Sequence, residues 1–343
     1  MRGAPPFDPR LMLKILIYGY SHGVTSSRAL ERRCHDDVAF GFLTAQQAPD
    51  FVAISRFRTR HAAAFAQLFT QSLALCAQAG LVSLGRVALD GTKVRASASR
   101  HLETEHAAKA RALAEQTATE RDQDPAHITQ AGDAAEAAVV VPAKAQRSFT
   151  DPDARIMKTS DGSFHYCFNA QTIVDERSQV VLTSVLRQSG ADSPALPQML
   201  TELTASLVAA GIDGLPRTLL ADAGYFSADN VTAVTDTGID PLIATGRQRR
   251  GEPAAAAPRG RIPTGLTPKQ QMSRKLRTVK GKTDYARRKA IVEPVFGQLK
   301  VAQNAGQFRL RGQAKAQGEW TLHVFCHNLR KLKGSGWTPQ TAI

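Results

Sequence analysis

The sequence predicts a mixed α/β sheet with helices on its faces, preceded by an all-helical N-terminal region. Three observations lead there. Over residues 8–82 the apolar positions recur at helical spacing, and after Gly80 the pattern changes to short apolar runs and strict alternation. From there the segments read strand, polar insert, hairpin, helix, strand, helix, strand, loop, helix. That order builds a sheet whose connecting helices pack back on its faces.

In the N-terminal region Asp8 is placed to cap a helix with Pro9 at its first position, and Leu11, Ile15 and Tyr18 form its stripe. Gly19 and Gly23 end it, and Ser26 or Ser27 caps the next helix, ALERRCHDDVAF. A third helix starts near Asp50 and runs through VAISRFRTRHAAAFAQLFTQSLALCAQ. Its Arg56, Arg58, Arg60 and His61 face away from Ile54, Phe57, Phe65 and Leu68. A short helix, a tight connection and an Arg-bearing helix outline a helix-turn-helix DNA reader. A plain helical bundle with solvated arginines fits the same residues.

The first strand is VSLGRVALD, ending at Asp90 and stopping on Gly91, and KVRASASRH leaves it with polar alternation. Residues 101–145 are rich in Ala, Glu, Gln and Thr and read as a solvated helical excursion or a partly disordered insert. FHYCFNAQTIVD and QVVLTSVL form a hairpin about a turn at Asp175–Ser178. Ser193 with Pro194 opens a helix that stops at Gly211; RTLLAD is the next strand; Ser227 caps a helix that stops at Gly238; PLIAT is the last strand. A Pro, Ala, Gly and Arg-rich loop, 246–270, leads to the final basic helices.

The chain has 343 residues and a net charge of +14. Ala244–Lys333 carries 21 Lys and Arg against 4 Asp and Glu, a net of +17 that leaves −3 for the remainder. A regional excess of this kind calls for an anionic partner. No amphipathic stretch offers an apolar face to a membrane, and the longest apolar run, Leu11–Tyr20, is broken by Lys14 and too short to span one. Cys34, Cys76, Cys167 and Cys326 show no paired spacing, and nothing resembles a signal peptide, so a cytoplasmic protein without disulfides is expected. His323 and His327 lack the Glu of a zinc-protease motif, because Val324 follows His323. A P-loop is absent, and a phosphoaspartyl hydrolase would need a nucleophile where Ala88 stands.

Three acids remain. Asp90 and Asp222 each end a short apolar strand, where ligands gather in α/β sheets. Glu293 stands in KAIVEPVFGQLK, where Pro294 either starts a helix or kinks it. Glu293, Gly297 and Lys300 share a face by steps of four and three, with Val292, Val295, Phe296 and Leu299 toward the sheet; Gly297 leaves room for a backbone to approach. Carboxylates on separate elements in a basic setting suggest metal-dependent phosphoryl transfer on nucleic acid.

With these residues the chain resembles the DDE-type transposases of bacterial insertion sequences. The likeness runs through DPRLMLKILIYGYSHGVTSSRALER, ALDGTKVRASAS, DPDARIMK, YCFNAQTIVD, LLADAGYFS, VEPVFGQLK and FCHNLRKL. It implies a ribonuclease-H-like catalytic domain over 83–300, after a helical DNA-binding region over 1–82 and before a basic helical extension over 301–343. It implies Asp90, Asp222 and Glu293 as the catalytic, metal-binding triad, holding two Mg²⁺ ions with Mn²⁺ able to substitute. A signature of Tyr and Arg before the Glu and Lys seven after it is met by Tyr285 and Lys300, and one residue out of step by Arg288 or Lys289. These four, with Lys93, Arg56, Arg58 and Arg60, are the expected DNA contacts. The implied partners are transposon ends and target duplex, bound by a homodimer. The start MRGAPPFDP resembles an internal position of the family, so an upstream part is expected to be missing, and the insert after Asp90 is shorter than usual. A nuclease that cuts without joining, or an inactive DNA-binding remnant, is the alternative.

Overall fold

The computed structural model describes residues 7–98, 102–120, 124–137, 148, 150–246, 256–261 and 263–338. The first six residues, much of the 246–270 loop and parts of the insert lie outside them. Helix α1 (Pro9–Ser21) starts as its sequence requires, with Asp8 accepting from the Arg10 N–H at 2.7 Å and Pro9 at the first position. The next expected helix is two, α2 (Ser27–Asp36) and α3 (Val38–Leu43), because Asp37 turns extended and caps α3 through the Ala39 N–H at 2.9 Å. Likewise α4 (Phe51–Arg60) is parted from α5 (Phe65–Gln78) by a 3₁₀ turn at Ala62–Ala64. The chain's last helix presses on this turn: a Cβ at Gly318 would stand 2.4 Å from the Ala62 carbonyl oxygen.

The rest is β1 (Arg86–Arg95), a helical pair from the insert, α6 (Leu102–Glu120) and α7 (Pro125–Ala137), then β2 (Arg155–Lys158), β3 (Phe164–Asp175) and β4 (Val181–Arg187). After these come α8 (Leu196–Ala209), β5 (Thr218–Ala221), α9 (Ala228–Asp236), β6 (Asp240–Ile243), α10 (Pro268–Arg277), α11 (Val279–Gly297) and α12 (Gln313–Gly334). The sheet order is β6, β5, β1, β3, with β2 and β4 both on the far edge of β3. The pairs β1–β5 and β5–β6 are parallel and the others antiparallel, so the sheet is mixed, as the ribonuclease-H-like expectation requires. The parallel strands are apolar on both sides, with Val87, Ala88, Leu89, Leu219, Leu220 and Ala221 all buried, because helices cover both faces.

Adjacent residues of β4 identify those faces. The Ser184 hydroxyl accepts from Trp320 Nε1 of α12 at 2.6 Å and meets the Thr172 hydroxyl at 2.7 Å, whereas the Thr183 hydroxyl accepts from Ser206 of α8 at 3.2 Å. Successive side chains of a strand alternate. The α12 face therefore carries Thr172, and with it Asp90, its register partner; the α8 face carries Gln171 and Gly91.

Two expectations change here. β1 does not stop at Gly91 but stays paired with β3 as far as Arg95; only its parallel ladder with β5 ends, at Leu89 opposite Ala221. The expected basic extension is instead a core helix. Trp320, Leu322, Phe325 and Cys326 of α12 are buried, and the helix packs on α1 and α5 as well as β4. Its basic last turn, with Lys331 and Lys333, dominates the charge count and conceals an apolar body.

Pro294 lies inside α11. Its missing N–H frees the Ala290 carbonyl, which accepts instead from Gln179 Nε2 of the β3–β4 turn at 3.0 Å. Beside that turn, His327 Nε2 meets the Gln179 carbonyl at 2.8 Å, and the His323 ring packs at a tilt against Tyr20, centroids 4.6 Å apart. Burial pushes His323 down to about 3 and His327 down to about 4. Both are neutral in the fold, so below about pH 6.5 the unfolded chain takes up protons that the folded one refuses. Their contribution to stability is present above that pH and is lost as pH falls toward 4, at about 1 kcal/mol per pH unit for each ring. Urea unfolding at pH 7 and pH 5 is expected to show this loss, and a His323→Leu, His327→Gln variant a flatter dependence; an unchanged slope in the variant contradicts the assignment.

Candidate active site

Leu89 and Ala221 are the last register pair of the parallel β1–β5 ladder, so the next residue on each strand is an aspartate, Asp90 beside Asp222. Adjacent strands lie about 4.8 Å apart, which sets the scale of the juxtaposition. The local bonds aim each carboxylate: Asp90 Oδ1 accepts from the Gly91 N–H at 2.8 Å, and Asp222 Oδ1 from the Gly224 N–H at 2.8 Å. Burial pushes the Asp90 carboxyl above its ordinary range and the Asp222 charge adds to this; Arg288 and the Gly91 N–H oppose them without cancelling them. Two partly buried carboxylates that repel one another are a hard oxygen donor pair whose charge a divalent cation relieves. On that ground Asp90 and Asp222 fit a metal ion.

Helix α11 runs alongside β1 in the same direction, as three contacts in ascending order show. Arg86 meets Asp284 at 2.6 Å, Asp90 meets Arg288 at 2.9 Å, and the Lys93 carbonyl accepts from Lys300 Nζ at 2.9 Å. Arg288 is therefore the basic residue at the site, and the alternative, Lys289, points to solvent. Burial works against the Arg288 charge, but Asp90, Tyr285 and Asp222 outweigh it and raise its pKa. Tyr285 lies against this guanidinium, its phenol pushed up by burial. Lys300 sits in a π-helical turn, Gln298–Ala302, and burial lowers its pKa.

Glu293 stands apart. Its side chain is 63% exposed, and its ion pair among the described residues is with Lys289 at 4.0 Å. Five residues beyond Arg288, it points about 140° around the helix. Val292, one residue earlier, takes the sheet-facing position and is buried. Among the described residues, no three His, Cys, Asp or Glu side chains gather closely enough to hold an ion. Gly297 is in open space: among the described residues, outside its own helical turn, nothing comes within 4 Å of a Cβ there.

Of the N-terminal arginines, Arg56 and Arg60 are exposed, but Arg58 is buried at 4% exposure. Its guanidinium donates to the Tyr20 hydroxyl at 2.8 Å and the Thr25 carbonyl at 2.7 Å, so it is a core residue and not a DNA contact. Lys93 donates to the Gly190 carbonyl at 3.1 Å at the mouth of a cleft of about 560 Å³, where Arg155 and Lys158 join it. Arg155 and Lys158 lie in the DPDARIMK segment, where no local signal marks either as a site residue. Nor does one mark Asp192, whose carboxylate accepts from Asn169 at 3.0 Å and Gln171 at 2.8 Å, one layer behind Gly91. The expected Ser193 cap also changes: Ser193 opens a short 3₁₀ turn instead of capping α8.

Among the described residues no helix is long and apolar enough to cross a membrane, and the four cysteines are buried and free. Residues 86–329 match the family described as Transposase DDE domain, and residues 1–60 match one described as Transposase domain. No curated protein gives a significant match to the chain. DNA binding and polynucleotidyl transfer, generally metal-dependent, go with the first family. Its match spans more than two thirds of the chain and takes in the paired aspartates and all of α11, so this chain belongs to the DDE-domain transposases of insertion sequences.

Proposed function

We propose that the protein cuts DNA at the ends of a transposable element and joins the freed 3′ ends to target DNA. The observation that carries this reading is the side-by-side placement of Asp90 and Asp222, with Arg288 over one of them. Asp90 and Asp222 would hold the divalent ion, Mg²⁺ with Mn²⁺ as substitute, and Glu293 would be the third carboxylate, its exposed side chain paired, among the described residues, with Lys289 at 4.0 Å. When bound, such ions activate an attacking oxygen and stabilise the leaving one without a covalent enzyme intermediate. The protein's own part is to hold the phosphodiester. Arg288 keeps Asp90 aligned and stands as a guanidinium beside the scissile phosphate. Lys93, Lys158 and Lys300 offer cations along the adjoining groove, Tyr285 backs Arg288, and exposed Arg56, Arg60 and Lys289 meet flanking duplex. An element has two ends to cut and each chain has one aspartate pair, so the working species is a homodimer.

A second reading, a DNA-binding relative without cleavage, is favoured by the position of Glu293 outside the aspartate pair. A donor plasmid carrying the element's inverted ends, incubated with Mg²⁺ and a target plasmid, separates the readings. Joined product is expected; nicking alone leaves a nuclease, and binding without nicking leaves the second reading. Lys93→Ala and Lys158→Ala are each expected to weaken duplex binding uniformly across sequences and to reduce the slope of log affinity on log salt by about 1. An unchanged slope removes these lysines from the groove.

A further inference from the structure

We infer that Asp192 is a positioning residue for the Asp90–Asp222 pair, acting from the opposite face of β1 through Gln171, Asn169 and Tyr225. The inference rests on the metal-binding reading of that pair. A carboxylate offers only acceptors, so both amides must turn their NH₂ groups toward Asp192, and they do, at 3.0 Å from Asn169 and 2.8 Å from Gln171. That choice determines everything else the two amides do. Gln171 Oε1 is left to accept from the buried Tyr225 hydroxyl, three residues after Asp222. The Asn169 NH₂ also reaches the Ser189 carbonyl at 3.2 Å, leaving Asn169 Oδ1 buried, without a hydrogen-bond partner, and turned to Gly91.

Both segments next to the aspartates are shaped to this network. A Cβ at Gly91 would stand 2.5 Å from Gln171 Nε2 and 2.9 Å from Asn169 Oδ1, so the amides lie flush on the strand directly after Asp90. A Cβ at Gly224 would stand 3.0 Å from Asp222 Oδ1 and 3.2 Å from Asp192 Oδ2, so the second carboxylate oxygen of Asp192 faces the Asp222 side. Lys93 Nζ, 3.7 Å from Asp192 Oδ1, is its one ion pair among the described residues. Asp192 thus fixes the backbone that carries Asp90 through Gly91 and the turn that carries Asp222 through Tyr225, and adds its negative charge behind both. Groups that orient metal-ligating side chains from behind change ion affinity by about 10- to 100-fold when removed.

The test is Mn²⁺ binding to the full chain without DNA, followed by calorimetry, with thermal unfolding as a control for folding. Asp192→Asn is expected to weaken Mn²⁺ binding at least about tenfold, and Tyr225→Phe, which keeps the ring but frees Gln171 to rotate, about threefold to tenfold. A purely structural Asp192 would lower the unfolding temperature and leave the affinity of the folded protein at the wild-type value, which overturns the inference. If Asp192→Asn does not fold, Tyr225→Phe decides by the same criterion. Asp222→Asn separates the two claims. Should it leave Mn²⁺ binding intact, the metal-binding reading fails and this inference with it; should it abolish binding while Asp192→Asn and Tyr225→Phe bind normally, only the role of Asp192 is wrong.

Discussion

Asp222→Asn is expected to lower Mg²⁺-dependent cleavage of an inverted-repeat end by about a thousandfold while leaving duplex binding intact. The substitution is nearly isosteric, and the one bond Asp222 makes to the backbone, from the Gly224 N–H, survives because an amide oxygen can accept it. What goes is a charge and a hard oxygen ligand beside Asp90. Stabilising the charge that develops on phosphate oxygens is worth several kcal/mol, and each 1.4 kcal/mol is about tenfold in rate. Asp90→Asn is expected to match it, with one further consequence: Arg288 loses its carboxylate partner and the groove gains a free cation. Binding to duplex should therefore tighten modestly in that variant. The measurement is gel-resolved cleavage at fixed Mg²⁺ beside an equilibrium binding curve. Undiminished cleavage by both variants would remove the aspartate pair from the chemistry, whatever Glu293 does.

Arg58→Met is expected to cost about 3–5 kcal/mol of stability, with no selective loss of recognition of transposon ends. Arg58 is not one surface arginine among three. It joins α4 to the Tyr20 hydroxyl and the Thr25 carbonyl, and reaches the Ser27 hydroxyl at 3.3 Å. Tyr20 passes the connection to Glu319 of α12 at 3.2 Å, and the other Glu319 oxygen accepts from the Arg309 and Leu310 N–H groups, each at 2.8 Å. Glu319 and Tyr20 are both fully buried, so removing the guanidinium strands a negative charge and two acceptors away from water. Methionine refills much of the volume, which restricts the loss to the electrostatic part. Urea unfolding reads the stability, and DNA binding per folded molecule should stay near wild type. A wild-type midpoint for Arg58→Met would place the residue back at the surface; Arg56→Ala and Arg60→Ala, both exposed, should leave the midpoint unchanged.

Elements whose signals are local were legible in the chain. The Asp8–Pro9 start of α1, the Asp50 cap of α4, the Ser227 cap of α9, the whole of β3 and the turns at Gly211 and Gly238 stand where the residues put them. For the caps and turns the determinant is a bond or backbone conformation within a few residues: an oxygen that reaches an N–H two or three positions on, or a left-handed φ that glycine takes without strain. The two aspartates were legible for a related reason. A short apolar run marks a buried parallel ladder, and the first acid after it stands where that ladder ends: Asp222 follows β5, and Asp90, within β1, follows the last residue paired with β5.

What the sequence could not specify depends on neighbours remote along the chain. Arg58 and Arg60 are two residues apart on one helix, and nothing local says that the first meets Tyr20 and the second meets water. The single long helix expected through His61 is interrupted at Ala62–Ala64, where Gly318, more than 250 residues on, packs against Ala62. By itself the sequence determined that the chain is an α/β protein with a helical N-terminal region, that Asp90 and Asp222 each follow a short apolar run, and that the excess of positive charge lies toward its C-terminal end. Only the tertiary structure decided that those strands are neighbours in register, that Arg288 and not Lys289 meets Asp90, that Glu293 turns outward while Val292 turns in, and that Asp192 lies behind Gly91. The physical reason is that strand pairing, helix rotation and burial are set by packing between distant segments, whereas caps, turns and apolar runs are set by the residues that form them.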